Sequence, residues 1–121
     1  MVATGVALAP TAQAAPTAGC SGSRCKGLEP TAQGCASDAY TVTSVSTSQG
    51  LVELRYSPSC RANWARISNA APGTWFWVQQ CNDGYSEQYY VPSGYTSAYT
   101  YMVDGTVLTR AGNAVAHTAC L

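Results

Sequence analysis

The chain has few charged residues and no cluster of one sign. Of its 121 residues, six are Lys or Arg and six are Asp or Glu, so the formal net charge is zero. Proteins that bind nucleic acid need a basic surface to neutralise phosphates, and contacts with anionic lipid need clustered Lys or Arg. We therefore expect neither a nucleic-acid partner nor a polybasic membrane contact.

The sequence also lacks an apolar run of the roughly 20 residues that a membrane-spanning helix requires. Its apolar start is followed by Ala-Gln-Ala at residues 12–14, the small-x-small pattern that signal peptidases cleave. We expect residues 1–14 to be part of a signal peptide that begins upstream of Met1, and the mature protein to be secreted without membrane insertion. The alternative is a lipoprotein acylated at Cys20, because residues 17–20 are similar to a lipoprotein cleavage box.

Few groups in the chain are suited to catalysis. His117 is the only histidine, and no G-x-S-x-G segment presents a serine nucleophile. A cysteine nucleophile needs a free thiolate beside an imidazole, whereas an even number of cysteines leaves no thiol over. His117 is interpreted as an ordinary strand residue, and we expect the protein not to be an enzyme.

The acidic residues do not form an evident pair for glycoside hydrolysis, which needs two carboxylates about 5–10 Å apart in a cleft. Asp83 and Asp104 fit turns, and Glu53 is expected to pair with Arg55 on the solvent face of a strand. Glu29 and Asp38 share a loop, but calcium loops usually carry more than two carboxylates. We expect no metal and no cofactor.

The most informative residues present are six cysteines: Cys20, Cys25, Cys35, Cys60, Cys81 and Cys120. An even set in a small polar chain indicates disulfides and an oxidising compartment. Tetrathiolate zinc sites usually show paired C-x2-C spacing, which is absent here. Of the many possible pairings we expect Cys20–Cys25, Cys35–Cys60 and Cys81–Cys120. An exchange of partners among the first three cysteines stays open.

The mature chain is expected to form one domain in two parts. Residues 15–38 are rich in Gly, Ser, Pro and Cys, which predicts a loop segment pinned by cysteines. Residues 39–121 carry β-branched and aromatic residues in short runs between turn signals, which predicts strands. The pattern indicates an all-β fold: a small antiparallel sandwich or barrel with a disulfide-stapled, Cys/Gly-rich N-terminal loop.

Individual strands are predicted from alternation and turn residues. Residues 41–47 and 51–56 predict a hairpin, and further strands are expected at 63–67, 75–79, 87–91, 99–104, 106–110 and 114–120. The Asp104-Gly105 dipeptide predicts a tight turn that joins the strands on either side of it. Residues 75–79 are apolar on both faces, which predicts a central strand covered on two sides.

Six of the eight tyrosines lie between residues 85 and 101. Tyrosine combines a flat apolar ring with a polar tip, which suits protein and sugar recognition alike. The simpler interpretation is that these rings fill a half-buried β surface. The alternative is a binding face, for which the candidate residues are Tyr85, Tyr89, Tyr90, Tyr95 and Tyr99.

From residue 20 to about residue 67 the chain resembles a known family. The resemblance is carried by residues 25–35 (Cys-Lys-Gly-Leu-Glu-Pro-Thr-Ala-Gln-Gly-Cys), 38–39, 52–60 and 64–67. These segments are similar to a small cysteine-containing domain of unknown function from secreted actinobacterial and some Bacillus proteins. In other actinobacterial proteins, a similar domain follows a helix-turn-helix regulator and a membrane segment. The loop here reads Gly-Leu-Glu-Pro where the family has Gly-Lys-Asp-Pro. The resemblance implies an extracytoplasmic β-rich domain and brings no activity or catalytic residues with it.

Taken together, the sequence predicts a secreted, non-enzymatic β domain that binds a protein or a component of the cell envelope through its tyrosine-rich segment. The alternatives are an inhibitor of a secreted hydrolase, a small secreted enzyme, and a structural envelope protein. A pocket that places His117 beside a carboxylate would favour an enzyme. An exposed aromatic surface would favour binding.

Overall fold

The structure, a computed structural model, describes residues 17–121, so the expected signal peptide at residues 1–14 lies outside the described part. Within that part the chain forms antiparallel strands and two 3-10 turns but no α-helix. The strands are β1 Tyr40–Thr47, β2 Gly50–Ser57, β3 Ala62–Ser68, β4 Trp75–Gln80, β5 Ser86–Tyr90, β6 Ala98–Tyr99, β7 Val103–Asp104 and β8 Thr109–Asn113.

The larger sheet has the order β1-β2-β3, and both β6 and β7 pair with the outer edge of β3. The predicted hairpin is present: β1 and β2 pair from Tyr40↔Tyr56 to Thr47↔Gly50, with a shift in register between Thr41 and Thr43.

Alternation places Val52 and Leu54 on one face of β2, where both are fully buried. Glu53 lies on the other face. Its ion pair is with Arg66 of β3 at 2.8 Å, so the expected pairing with Arg55 was wrong.

The smaller sheet has the order β5-β4-β8. Strand β4 is central, as the sequence predicted, and its Phe76 and Val78 are fully buried against the larger sheet. The expectation that both faces of β4 are covered was wrong, because Trp75, Trp77 and Gln79 remain partly exposed on the outer face. The neighbouring strands β5 and β8 cover part of each tryptophan side chain, and no further layer packs on this face within residues 17–121.

Two hydrophobic clusters lie on opposite faces of the larger sheet. The first fills the space between the sheets, where Leu54, Ile67, Phe76 and Val78 meet.

In the second cluster, Trp64 and Met102 pack against Cys25, Cys35 and Cys60, so the Cys-rich segment forms a third layer. Trp64 is only 4% exposed, and burial of one large side chain stabilises a fold by about 1.5–3 kcal/mol. The Cys-rich segment is therefore part of the folded domain.

The disulfides join Cys20 to Cys25, Cys35 to Cys60 and Cys81 to Cys120, the same pairing that was chosen from the sequence. The third bond ties the C-terminal segment to the turn after β4. That segment makes backbone hydrogen bonds along the outer edge of β8, including a reciprocal pair between Thr109 and Leu121. The expectation of a regular strand over 114–120 was wrong: within this segment only an isolated bridge joins His117 to Gly112.

The segment around Asp104 also differs from the prediction. Instead of one strand over 99–104, the short strands β6 and β7 touch β3 at two separate points. Between them the chain turns to the Cys-rich segment, where Met102 N donates to Leu28 O at 3.0 Å and its carbonyl accepts from Gly27 N at 2.9 Å. Asp104 Oδ1 accepts from the Thr106 backbone N–H at 2.9 Å, which makes a local turn and not a hairpin.

The architecture is thus an antiparallel all-β sandwich with a disulfide-stapled N-terminal layer, which confirms the predicted fold class. None of the helical segments within residues 17–121 has the length and apolar character needed to cross a membrane.

Candidate functional site

The candidate tyrosines are at the surface. Tyr89, Tyr90, Tyr95 and Tyr99 are between 41% and 61% exposed, and Tyr101 is 54% exposed. Exposed aromatic rings are enriched at sites of recognition because they bury a large area with few rotatable bonds. About half of the surface of these five residues is therefore accessible to a partner, as a binding face requires, and the rest is covered by the protein.

A groove of about 350 Å³ lies between β5 and β6 at one side of the sandwich. The structure brings together three of the five candidate residues here, Tyr89, Tyr95 and Tyr99, and adds others that sequence reasoning did not select. We call this the tyrosine groove; its lining is Glu29, Gln88, Tyr89, Pro92, Tyr95, Ser97, Ala98, Tyr99 and Tyr101. Tyr101 belongs to the cluster of six tyrosines that is visible in the sequence, but it was not selected as a candidate residue.

The far wall of the groove is fixed by a contact between distant parts of the chain. The Tyr99 hydroxyl donates to the carboxylate of Glu29, 70 residues away in sequence, and this hydrogen bond raises the pKa of Tyr99. Partial burial acts to raise the pKa of Glu29, but hydrogen bonds from Tyr99 and the Ala32 backbone outweigh it, so the pKa is lowered. Both partners are thus held in the protonation states, phenol and carboxylate, that make the bond.

The near wall is formed by β5. The Tyr89 ring meets Phe76 edge to face, with 6.4 Å between centroids, so one side of it is anchored on the core while 47% of the residue is exposed. Such edge-to-face pairs add about 0.5–1.5 kcal/mol beyond burial. The ring is therefore presented in one orientation and loses little entropy on binding.

Beside the groove, the outer edge of β5 is unpaired. The backbone bonds from Val91 to Thr74 and from Gln80 to Tyr85 fix the alternation of the β4–β5 ladder. Residues 86, 88 and 90 consequently direct their N–H and C=O groups away from β4. Within residues 17–121 no backbone partner meets them.

Two of the candidate tyrosines lie outside the groove. Tyr90 is opposite Trp75 in the ladder, so its side chain projects from the outer face of the smaller sheet. Tyr85 precedes β5; its hydroxyl donates to Glu87 at 2.5 Å, and Lys26 Nζ lies 4.5 Å from the ring centroid. The hydrogen bond to Glu87, then burial, raises the pKa of Tyr85 to about 12. Tyr85 thus links β5 to the Cys-rich segment.

His117 lies in a second concave region of about 360 Å³, on the outer face of the smaller sheet. Its Nδ1 is 2.8 Å from the Thr118 carbonyl, and its ring centroid is 6.0 Å from that of Trp77. No carboxylate is among the described residues that line this region. The enzyme alternative, which required a histidine beside a carboxylate, gains no support from this arrangement.

The groups with metal-ligand chemistry are the N-terminal cysteines. The Sγ atoms of Cys20, Cys25, Cys35 and Cys60 all lie within 4.8 Å of one another, because two disulfides pack side by side. A disulfide sulfur is not a thiolate and does not bind zinc as one does. Glu29 and Asp38, the loop acids weighed for calcium, accept hydrogen bonds at separate places, Asp38 from the Ser57 hydroxyl and the Ser59 backbone.

Comparison with curated proteins found no match, and comparison with solved structures found none either. The sequence model of a protein family of unknown function, DUF2690, matches residues 23–115. The match includes β1 to β8, the tyrosine groove and four of the six cysteines, Cys25, Cys35, Cys60 and Cys81. Cys20 and Cys120 lie just outside its two ends. It extends the resemblance seen from residue 20 to about residue 67 across nearly all of the sandwich, and the chain belongs to the DUF2690 family of proteins of unknown function.

Proposed function

We propose that the protein is a secreted, non-enzymatic binding domain that holds an extended segment of a partner protein along β5 and in the tyrosine groove. The observation that carries the proposal is the unpaired edge of β5, with a groove of exposed aromatic rings directly beside it. A segment that adds a strand gains main-chain hydrogen bonds from the edge and places alternate side chains in pockets.

The other sheet edges are less suited to such a partner. The outer edge of β3 is occupied by β6 and β7, and that of β8 by the C-terminal segment. Strand β1 is also an edge, but its register is shifted between Thr41 and Thr43, and bulged edges pair poorly with a further strand. Among these edges, β5 combines a regular ladder with aromatic rings beside it.

The charge of the groove indicates the kind of segment it favours. Glu29 is the charged residue in the lining, and its lowered pKa keeps it ionised at neutral pH. A segment that alternates apolar side chains with a Lys or Arg near Glu29 fits this surface best. Secretion is supported by the three disulfides, which persist in oxidising compartments.

The edge is tested with two substitutions at one position. Gln88→Pro removes the outward N–H without breaking a bond to β4, whereas Gln88→Ala keeps that N–H and serves as the matched control. Linear peptides selected from a random displayed library on the wild-type protein are titrated against both variants. We expect binding to be at least about tenfold weaker in Gln88→Pro than in Gln88→Ala, which lacks the same side chain, and at least about tenfold weaker in Tyr99→Ala than in the wild type.

The source of the ligand is tested separately, by passing culture supernatant proteins and isolated cell-wall polysaccharide over the immobilised domain. A protein that is retained by the wild type and lost with Gln88→Pro supports the proposal. Selected peptides that bind all variants equally, or retention of wall polysaccharide through the tyrosine groove, would contradict it.

A further inference from the structure

The outer face of the smaller sheet carries two tryptophans that no layer covers within residues 17–121. Trp75 and Trp77 project from the same side of β4, with ring centroids 6.5 Å apart. They lie in the second concave region together with polar side chains of β5, β8 and the C-terminal segment. We call the set Trp75, Trp77, Gln79, Gln88, Arg110 and His117 the tryptophan face.

Hydrogen bonds fix the orientation of this surface before any ligand arrives. Trp75 Nε1 donates to Gln88 Oε1 at 3.0 Å. Arg110 donates to Gln79 Oε1 twice, from Nε at 3.1 Å and from Nη2 at 2.9 Å. The guanidinium carbon is then 5.8 Å from the Trp77 ring centroid. Preorganised groups of this kind lose little entropy when they bind.

Several polar atoms of the tryptophan face have no hydrogen-bond partner within the described part of the chain. Gln88 uses its Oε1 but not its amide Nε2, and Arg110 leaves Nη1 free. His117 donates through Nδ1 to the Thr118 carbonyl, so in the uncharged tautomer that makes this bond Nε2 is an acceptor. The surface thus offers two indole rings, tilted by 42° to each other, bordered by donors and one acceptor that are free to bind a ligand.

We propose that the tryptophan face is a second binding site, and that it takes the pyranose rings of an oligosaccharide. A sugar ring has a C–H face that packs on an indole, and hydroxyls at its rim that accept from an amide or guanidinium and donate to an imidazole. Two neighbouring indoles provide space for two successive sugar rings. Sites for small polar ligands combine aromatic walls with a few placed polar groups in this way.

Other occupants fit this face less well. The Arg110 guanidinium lies over the Trp77 ring, so a cationic ligand would meet like charge on the indole that it needs. A single-stranded nucleic acid requires a positively charged groove as well as stacking, and the lining here has one guanidinium. An added peptide strand needs a free edge, but β4 is paired on both sides. Neutral or acidic sugars are therefore the ligands that fit the tryptophan face.

The chain supplies its own internal control for a direct test. It has three tryptophans, of which Trp64 is buried under the Cys-rich segment at 4% exposure. Cellotetraose, chitotetraose, maltotetraose and tetragalacturonate are each titrated up to about 10 mM into the protein while its three indole N–H signals are followed by NMR. We expect at least one of these sugars to shift the signals of Trp75 and Trp77 and to leave that of Trp64 in place.

Substitution locates the effect. Trp75→Ala and Arg110→Leu are expected to weaken the binding of that sugar at least about tenfold, while Tyr101→Ala, which removes an exposed ring from the tyrosine groove, leaves it unchanged. Thermal unfolding verifies that each variant is folded. Binding of the peptides selected on the wild-type protein should persist in Trp75→Ala and Arg110→Leu, which leave the tyrosine groove intact. These peptide measurements also separate the two proposals, because loss of one site does not require loss of the other.

The proposal is overturned if none of the four sugars gives saturable shifts at Trp75 and Trp77. It is equally overturned if a sugar binds but the folded Trp75→Ala variant retains full affinity.

Discussion

Glu53 connects Thr41 of β1 and Arg66 of β3 on the outer face of the larger sheet. Its Oε1 accepts from Arg66 at 2.8 Å, and its Oε2 accepts from the Thr41 hydroxyl at 3.0 Å. The hydrogen bond from Arg66, acting against partial burial, lowers the pKa of Glu53 below 4.5. Since the ionised form is favoured by folding, this carboxylate stabilises the fold at every pH above the unfolded pKa. That contribution disappears as the pH falls through the folded pKa.

We expect Glu53→Gln to lower the free energy of unfolding by about 1 kcal/mol at neutral pH, the upper range for a partly exposed ion pair. The difference from wild type should shrink as the pH falls from the ordinary pKa of Glu through the lowered pKa of folded Glu53, because the unfolded carboxylate and then the folded one become protonated. Urea unfolding at a series of pH values measures both effects. Arg66→Gln and the double variant complete a cycle; a deficit that is the same at all pH values would contradict the assignment.

At the scale of elements, strand β8 depends on a residue without a side chain. A Cβ on Gly112 would lie 2.6 Å from His117 Cβ and 2.7 Å from both the Ala116 carbonyl oxygen and Trp77 Cζ2. No atom can approach that closely, so the C-terminal segment and the Trp77 ring both rest against bare backbone at this point. Gly112 thereby sets the position of one indole on the tryptophan face.

Gly112→Ala is expected to reduce the free energy of unfolding by about 1–3 kcal/mol, the usual cost of overpacking, and to shift the indole N–H signal of Trp77. The control is Gly94→Ala, where a Cβ meets nothing within 4 Å and only the positive φ is unfavourable. That variant should leave the Trp77 signal unchanged. An unshifted Trp77 signal in folded Gly112→Ala would contradict the predicted clash.

Elements defined by local pattern were predictable, and those defined by distant contacts were not. The β1–β2 hairpin follows from alternation and a turn over 48–50. The path of residues 99–104 does not, because Met102 bonds to the Cys-rich segment, which no local pattern reveals. The same holds for the candidate site: the tyrosine cluster was visible in the sequence. Its contact with Glu29 and the unpaired edge of β5 arise only in the folded chain.

For the whole molecule, three disulfides reinforce a modest core, and one of them, Cys35–Cys60, joins the Cys-rich layer to the larger sheet. Chain-entropy reasoning assigns about 2 kcal/mol to the bond that closes the shortest loop, Cys20–Cys25, and about 4 kcal/mol to Cys81–Cys120, whose sequence separations are 5 and 39. Single domains are stable by only about 5–15 kcal/mol in total. Together the bonds therefore supply a large share of the stability.

We expect replacement of Cys81 and Cys120 by Ser to lower the free energy of unfolding by about 2 kcal/mol more than replacement of Cys20 and Cys25. Full reduction should unfold the domain at room temperature. Urea unfolding of the two double variants, and circular dichroism of the reduced chain with its thiols counted, measure this. A native spectrum with six reactive thiols would contradict the expectation.

The distribution of sheet edges also limits how the molecule associates with itself. A filament built by edge-to-edge pairing needs two competent edges on each copy. Here β3 and β8 are already occupied, and the register of β1 is broken near its start. If two copies meet through β5, each uses the one regular edge found within residues 17–121, and the described parts of the two copies close as a two-fold pair.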